Sequence, residues 1–125
     1  MRTLIPLALI IFSCLQSNAQ EMAIIGKWRN SENSHIVEIF KSKDTFSAKT
    51  LKSKDNKGIN QIVIWGLKYD KEEKQWNKGE IKLTDMNHSA NCYIYLKNDS
   101  TAVIIGYHGL KILGHSETYF KAESK

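Results

Sequence analysis

The chain has 125 residues, with 18 Lys and Arg against 13 Asp and Glu, two cysteines and one proline. This length sets a ceiling of one domain, and 42% hydrophobic with 25% charged residues exclude a disordered, collagen-like or coiled-coil chain. The sequence contains no glycine-rich phosphate loop, HExxH zinc motif or Gly-x-Ser-x-Gly elbow, so it predicts no nucleotide-binding, zinc-protease or hydrolase function.

The first 19 residues predict an export signal. Arg2 precedes an apolar stretch, Leu4 to Phe12, and Ser17-Asn18-Ala19 offers the small residues that a signal peptidase reads. The apolar stretch is about half of the roughly 20 residues that a membrane-spanning helix requires. We therefore expect cleavage near Ala19, no transmembrane segment, and a periplasmic or extracellular domain over residues 20–125.

A competing interpretation of the same segment is a lipoprotein signal. Ile11-Phe12-Ser13-Cys14 would place a lipid anchor on Cys14. Phe12 fits this pattern poorly, because a small or β-branched residue is expected at that position. Cleavage near Ala19 remains the main prediction, and anchoring at Cys14 is the alternative.

Cleavage near Ala19 would remove Cys14 and leave Cys92 as the single cysteine, so we predict no internal disulfide. Cys92 alternates with Ile94 and Leu96, which predicts a small buried hydrophobe and not a nucleophile. The domain would contain no proline, which suits continuous strands. Without Arg2, 17 basic residues face 13 acidic ones, a formal net charge of +4.

Apolar and polar residues alternate along the domain, and Asn, Asp and Gly mark the turns. This pattern predicts eight strands: Ile24–Arg29, His35–Phe40, Thr45–Leu51, Gln61–Tyr69, Gly79–Leu83, Asn91–Lys97, Thr101–Tyr107 and Ser116–Lys121. Asp70 to Gln75 could form at most a marginal helical turn. We predict an all-β fold, a single antiparallel up-and-down β-barrel of about eight strands, because closure removes exposed edges. Such a barrel is just wide enough for packed side chains or one small ligand.

The fourth predicted strand, Gln61–Tyr69, is apolar on both faces. Strict alternation would place Val63, Trp65, Leu67 and Tyr69 on one face and Ile62, Ile64 and Gly66 on the other. One of these two apolar faces must be covered from water by something other than the opposite strands. The cover would be either a loop or terminal segment of the chain, or a ligand or protein partner.

Five motifs follow one another in order and carry a family resemblance. They are Gly26–Trp28, Trp65–Lys68, Trp76–Ile81, Gly106–Gly109 and Gly114–Lys121. The chain resembles the exported bacterial family called domain of unknown function 2147. The resemblance implies a lipocalin-like (calycin-like) barrel in a bacterial cell envelope, with no established enzymatic activity.

The resemblance also implies a closed barrel end. Gly26 lets the first strand bend, Trp28 seals the base, and Lys121 is expected to lie over the Trp28 ring. The sequence departs from the family pattern at three places. An expected Asp-Pro is missing at Lys82–Asp85, an expected Arg is Ile105, and a closing Trp-x-Arg reads Tyr119-Phe120-Lys121.

Two functional hypotheses follow. The first is a non-catalytic carrier or sensor of a small apolar or amphipathic ligand, with four aromatic residues near the barrel mouth: Trp65, Tyr69, Trp76 and Tyr107. The second is an envelope protein-interaction module, an inhibitor or assembly factor, which uses an exposed aromatic strand face.

Enzymatic and nucleic-acid functions are not expected. We predict no catalytic residue, metal site or cofactor, because the histidines lack metal-ligand spacing and the aspartates lie in predicted turns. We also expect a monomer. We expect no nucleic-acid binding, because Lys71 and Lys74 are interleaved with Glu72 and Glu73 and do not form a continuous basic surface.

Overall fold

In a computed structural model, residues 19–83, 88–109 and 114–122 are described. Residues 1–18 of the predicted signal lie outside this part of the chain. A short 3₁₀ helix, Met22–Ile24, precedes a closed antiparallel barrel in which each strand pairs with the next and the last pairs with the first. The strands are β1 (Gly26–Arg29), β2 (Ile36–Ser42), β3 (Thr45–Lys52), β4 (Ile62–Asp70), β5 (Gln75–Lys82), β6 (Ser89–Asn98), β7 (Thr101–Tyr107) and β8 (His115–Lys121). No helix among the described residues is long and apolar enough to cross a membrane.

The predicted fold and number of strands are confirmed, and the largest boundary error is at β5, which starts at Gln75 and not at Gly79. The segment before it is a tight turn and not a helix. The Lys74 N–H donates to the Asp70 carbonyl at 2.7 Å, and the Asp70 carboxylate accepts the N–H groups of Glu72 and Glu73 at 3.0 Å each. This Asp capping reverses the chain within four residues and lets β5 begin early.

A bulge in β4 changes which side chains enter the barrel. Ala48 pairs with Ile64 and Phe46 with Leu67, so three steps on β4 oppose two on β3. Gly66 lies inside this bulge with φ 77°, in the left-handed region that glycine tolerates. Ile64 and Leu67 are therefore both buried. The predicted strict alternation along this strand is wrong, because a bulge reverses the alternation beyond it.

The two halves of the barrel differ in how they are filled. The 3₁₀ helix and the β2–β3, β4–β5 and β6–β7 turns lie at one end, which we call the closed end. The large side chains packed towards it include Ile24, Trp28, Ile39, Phe46, Leu67, Trp76 and Ile94. The Trp28 Nε1–H donates to the Ile24 carbonyl at 2.8 Å, and the Trp76 Nε1–H donates to the Glu21 carbonyl at 3.1 Å. These bonds tie the chain before β1 across the closed end.

Candidate functional site

The opposite end of the barrel, the open end, contains a cavity of about 710 Å³. Ligand pockets of small-molecule binding proteins typically measure roughly 300–1,000 Å³. The inner faces of β2, β3, β4, β5, β7 and β8 line this cavity, and the β3–β4 loop covers part of its rim. The cavity is therefore large enough for one small molecule.

One side of the cavity is polar. We call this side the polar wall, and its residues are His35, Thr50, Glu117 and Tyr119. The Tyr119 hydroxyl and His35 Nδ1 share a hydrogen bond of 2.7 Å. It joins β8 to the residue before β2, beyond Arg29, where β1 ends. A side-chain contact thus bridges the barrel where the shortest strand does not reach.

The Tyr119 phenol keeps its proton at neutral pH. Burial, followed by the negative charge of Glu117, raises the pKa of Tyr119 above its ordinary value. The phenol either donates its proton to Nδ1 of His35 or accepts one from it, depending on the imidazole tautomer. In either case the hydroxyl retains capacity for a second hydrogen bond, to a group inside the cavity.

A second side of the cavity is apolar. This apolar wall consists of Val63 and Ile64 on β4, Ile81 on β5 and Ile104 on β7. Ile64 and Ile104 are buried, whereas Ile81 is only partly covered by the packed core. A bound molecule that covers Ile81 would remove further apolar surface from water, which favours binding.

A folded loop forms part of the rim. The Lys57 N–H donates to the Asp55 carboxylate at 3.0 Å, and the Ser53 hydroxyl donates to the Lys57 carbonyl at 2.6 Å. The first of these bonds is the main cause of the lowered pKa of Asp55. The Asp55 carboxylate therefore stabilises the turn. Among the described residues, the other charged side chains that line the cavity are Lys57, Lys82 and Glu117.

The structure separates the four aromatic residues predicted to lie near the mouth. Tyr69 and Trp76 contact each other at the closed end, with ring centroids 4.9 Å apart. Trp65 lies half-buried opposite Glu80, and Tyr107 contacts Tyr93 on the outside of the barrel at 5.9 Å. The predicted grouping is therefore wrong. The β4 bulge separates Trp65 from the face of Leu67, so Trp65 lies on the outside, and the early start of β5 places Trp76 at the closed end.

Three residues predicted to close the barrel meet at the closed end. Gly26 has φ 137°, which an L side chain rarely adopts, at the bend into β1. Trp28 is 0% exposed, and the Lys121 Nζ lies 5.4 Å from the centroid of its ring. The indole thus has a cation over one face and a hydrogen bond at its N–H.

Sequence reasoning missed the polar wall. In the sequence, His35 is identified only as the first residue of a predicted strand. Tyr119 is identified only as a departure from the Trp of the family pattern. The usable signal was the alternation of Glu117, Tyr119 and Lys121 along one strand. It places all three on the face that contacts Trp28, and hence inside the barrel.

Cys92 is buried on the inner face of β6 and is not among the residues that line the cavity. Its predicted burial is confirmed. In the described part of the chain, no three His, Cys, Asp or Glu side chains come together in a group that could hold a metal ion.

Burial of Cys92 predicts a loss of stability in alkali. Burial raises the pKa of the Cys92 thiol to about 12, whereas an unfolded thiol has a pKa of about 8.5. Between these values the unfolded state loses a proton that the folded state keeps, so stability falls as pH rises. From pH 8 to 10, we expect the free energy of unfolding to fall by about 2 kcal/mol more in the wild type than in Cys92→Ala. Urea denaturation at both pH values measures this difference, and equal losses in the two proteins would contradict it.

A closed, antiparallel, up-and-down barrel of eight strands with one packed end and one open cavity is a lipocalin-like fold. The family described as "Uncharacterized protein conserved in bacteria (DUF2147)" matches residues 26–121, and the chain belongs to that family. The resemblance seen in the sequence is thereby confirmed.

Comparison with solved structures supports the fold. The barrel is similar to protein HP1028 from the human pathogen Helicobacter pylori, which belongs to the lipocalin family. The TM-score is 0.64 at 12% sequence identity, over 80% of this chain and 83% of that one. At this identity the likeness is one of fold alone. No match is found among curated proteins.

Proposed function

We propose that the protein is an exported, non-catalytic binding protein that holds a small apolar or amphipathic molecule in the open half of its barrel. The observation that carries this proposal is the cavity of about 710 Å³ between a polar and an apolar wall. A barrel filled with side chains along its whole length would leave no such space.

The positions of two reactive groups support binding and not catalysis. The Cys92 thiol is buried outside the cavity lining, and its raised pKa keeps it protonated at neutral pH. The Tyr119 hydroxyl does reach the cavity, but it is hydrogen bonded and its pKa is also raised. Neither group is an activated nucleophile at neutral pH.

The location proposed for this binding is the bacterial envelope. The charge, length and small residues of positions 1–19 support export, with cleavage near Ala19. The contacts of the described chain begin soon after that point, since the Glu21 carbonyl accepts the Trp76 indole N–H and the Glu21 carboxylate lies 3.4 Å from the Lys41 Nζ. Removal of residues 1–19 would therefore leave these contacts in place.

An envelope protein-interaction module is the second candidate function. The observation that favours it is the outer face of β4, where Ile62 is 43% exposed and Trp65 is half-buried. Exposed apolar side chains of this kind occur at protein interfaces. On this alternative, a protein partner and not a small molecule would accompany the chain in its host.

Native mass spectrometry of the protein purified from its own host tests the proposal. We expect a small-molecule mass increment that survives gentle ionisation and disappears after denaturation. A protein without this increment, in a stoichiometric complex with another protein, would contradict the binding proposal and support the interaction module.

A further inference from the structure

The cavity is shallow compared with the length of the barrel. Its base lies near Val37 and Thr50, and its rim lies near His35 and Ser53. These levels are two to three residues apart along β2 and β3, which corresponds to a depth of roughly 7–10 Å at about 3.3 Å per residue. The closed half below is filled by the packed core. A long acyl chain in extended form would not fit within this depth.

The polar and apolar walls occupy different parts of the barrel's circumference and are not stacked along its axis; they adjoin where Glu117 on β8 pairs with Ile104 on β7. The polar residues Glu117, Tyr119, His35 and Thr50 come from the half formed by β8, β1, β2 and β3. The apolar wall comes from the half formed by β4 to β7. A complementary ligand therefore carries its polar groups along one edge and its apolar surface along the other.

The chemistry of the polar wall limits which polar group a ligand can place against it. The Glu117 carboxylate can only accept hydrogen bonds, so a facing ligand group must donate one. The Tyr119 hydroxyl, already bonded to His35, has capacity for one further bond as donor or acceptor. A neutral hydroxyl meets both demands, whereas a carboxylate at this wall faces the like charge of Glu117. Lys57 in the β3–β4 loop and Lys82 on β5 line other parts of the cavity and do not belong to this wall.

We infer that this cavity, if it binds a small molecule as proposed above, selects compact ring-shaped molecules with a hydroxyl on one edge over long-chain carboxylates. The hydroxyl contacts Glu117 and Tyr119, and the ring covers Ile81 and Ile104. His35 positions the Tyr119 phenol through the 2.7 Å hydrogen bond.

Titration of the protein by NMR with three probes tests this selectivity. The probes are 2-naphthol, naphthalene, which lacks the hydroxyl, and dodecanoate, which has a long chain and a carboxylate. We expect 2-naphthol to bind at least about tenfold more tightly than dodecanoate. Tyr119→Phe and Glu117→Gln should each weaken 2-naphthol binding by roughly three- to tenfold, the value of one hydrogen bond, and leave naphthalene binding unchanged.

Ser116→Ala is the matched control, because Ser116 precedes Glu117 on β8 and points to the outside of the barrel. It should change no affinity. If dodecanoate binds as tightly as 2-naphthol or more tightly, the selectivity is wrong while the binding function stands. If the two wall variants weaken naphthalene as much as 2-naphthol, their side chains support the barrel and do not recognise a hydroxyl, and the inference is overturned. If no probe binds up to its solubility limit, the result contradicts the binding function itself.

Discussion

Replacing Trp28 with alanine is expected to lower the free energy of unfolding by about 3–5 kcal/mol. Trp28 is 0% exposed, and its Nε1–H donates to the Ile24 carbonyl at 2.8 Å. It also pairs with Val37 on β2 and Lys121 on β8, so its removal leaves a void where the barrel closes. Equilibrium denaturation in urea measures the loss.

Two further variants make the Trp28 result interpretable. Trp65→Ala removes the same atoms from a half-buried position outside the barrel, and we expect less than half the loss. Trp28→Phe keeps an aromatic ring but removes the indole N–H, so it should give an intermediate loss even if the alanine variant does not fold. Equal losses for Trp28→Ala and Trp65→Ala would show that Trp28 does not seal the barrel.

Filling the cavity with a larger side chain should strongly weaken binding without unfolding the protein. Ile81 lies on the apolar wall and is only partly covered by the core, so a tryptophan there can extend into the cavity. We expect Ile81→Trp to weaken binding of the neutral dye N-phenyl-1-naphthylamine at least tenfold, which corresponds to about 1.4 kcal/mol. The rise in dye fluorescence on titration with protein measures the affinity.

Ile62→Trp is the control for this experiment. It adds the same side chain to β4 at a position that is 43% exposed on the outer surface, beside the cavity and not inside it. Dye affinity should stay within about twofold of the wild type, and both variants should unfold at similar urea concentrations. If Ile62→Trp weakens the dye as much as Ile81→Trp, the dye binds the outer surface and the cavity is not the binding site.

The barrel could be predicted from the sequence because its strands obey local rules. Alternation along Asn91–Lys97 predicts most of β6, and turn residues such as Asn98 and Asp99 predict the hairpin after it. Pairing each strand with the next needs only short connections, so local signals were sufficient to predict the topology. The error at β5 has a local cause, because Lys78 adopts φ 65° and the register shifts between Trp76 and Gly79, which breaks the alternation there.

The site could not be predicted in the same way, because it depends on contacts between distant parts of the chain. The bond between His35 and Tyr119 joins residues 84 positions apart, and neither residue has a distinctive neighbour in the sequence. The bulge at Gly66 reverses the alternation of β4, and aromatic residues chosen by strict alternation were therefore assigned to the wrong surface. Predicting the cavity also requires knowing that large side chains fill only one half of the barrel.

A crystal structure of the protein purified from its own host, without added ligand, tests the central claim most directly. We predict electron density for a small molecule between the two walls, in contact with Ile81 and Ile104 on one side and with Tyr119 on the other. An open half closed by repacked side chains, with no room for a small molecule, would contradict the account.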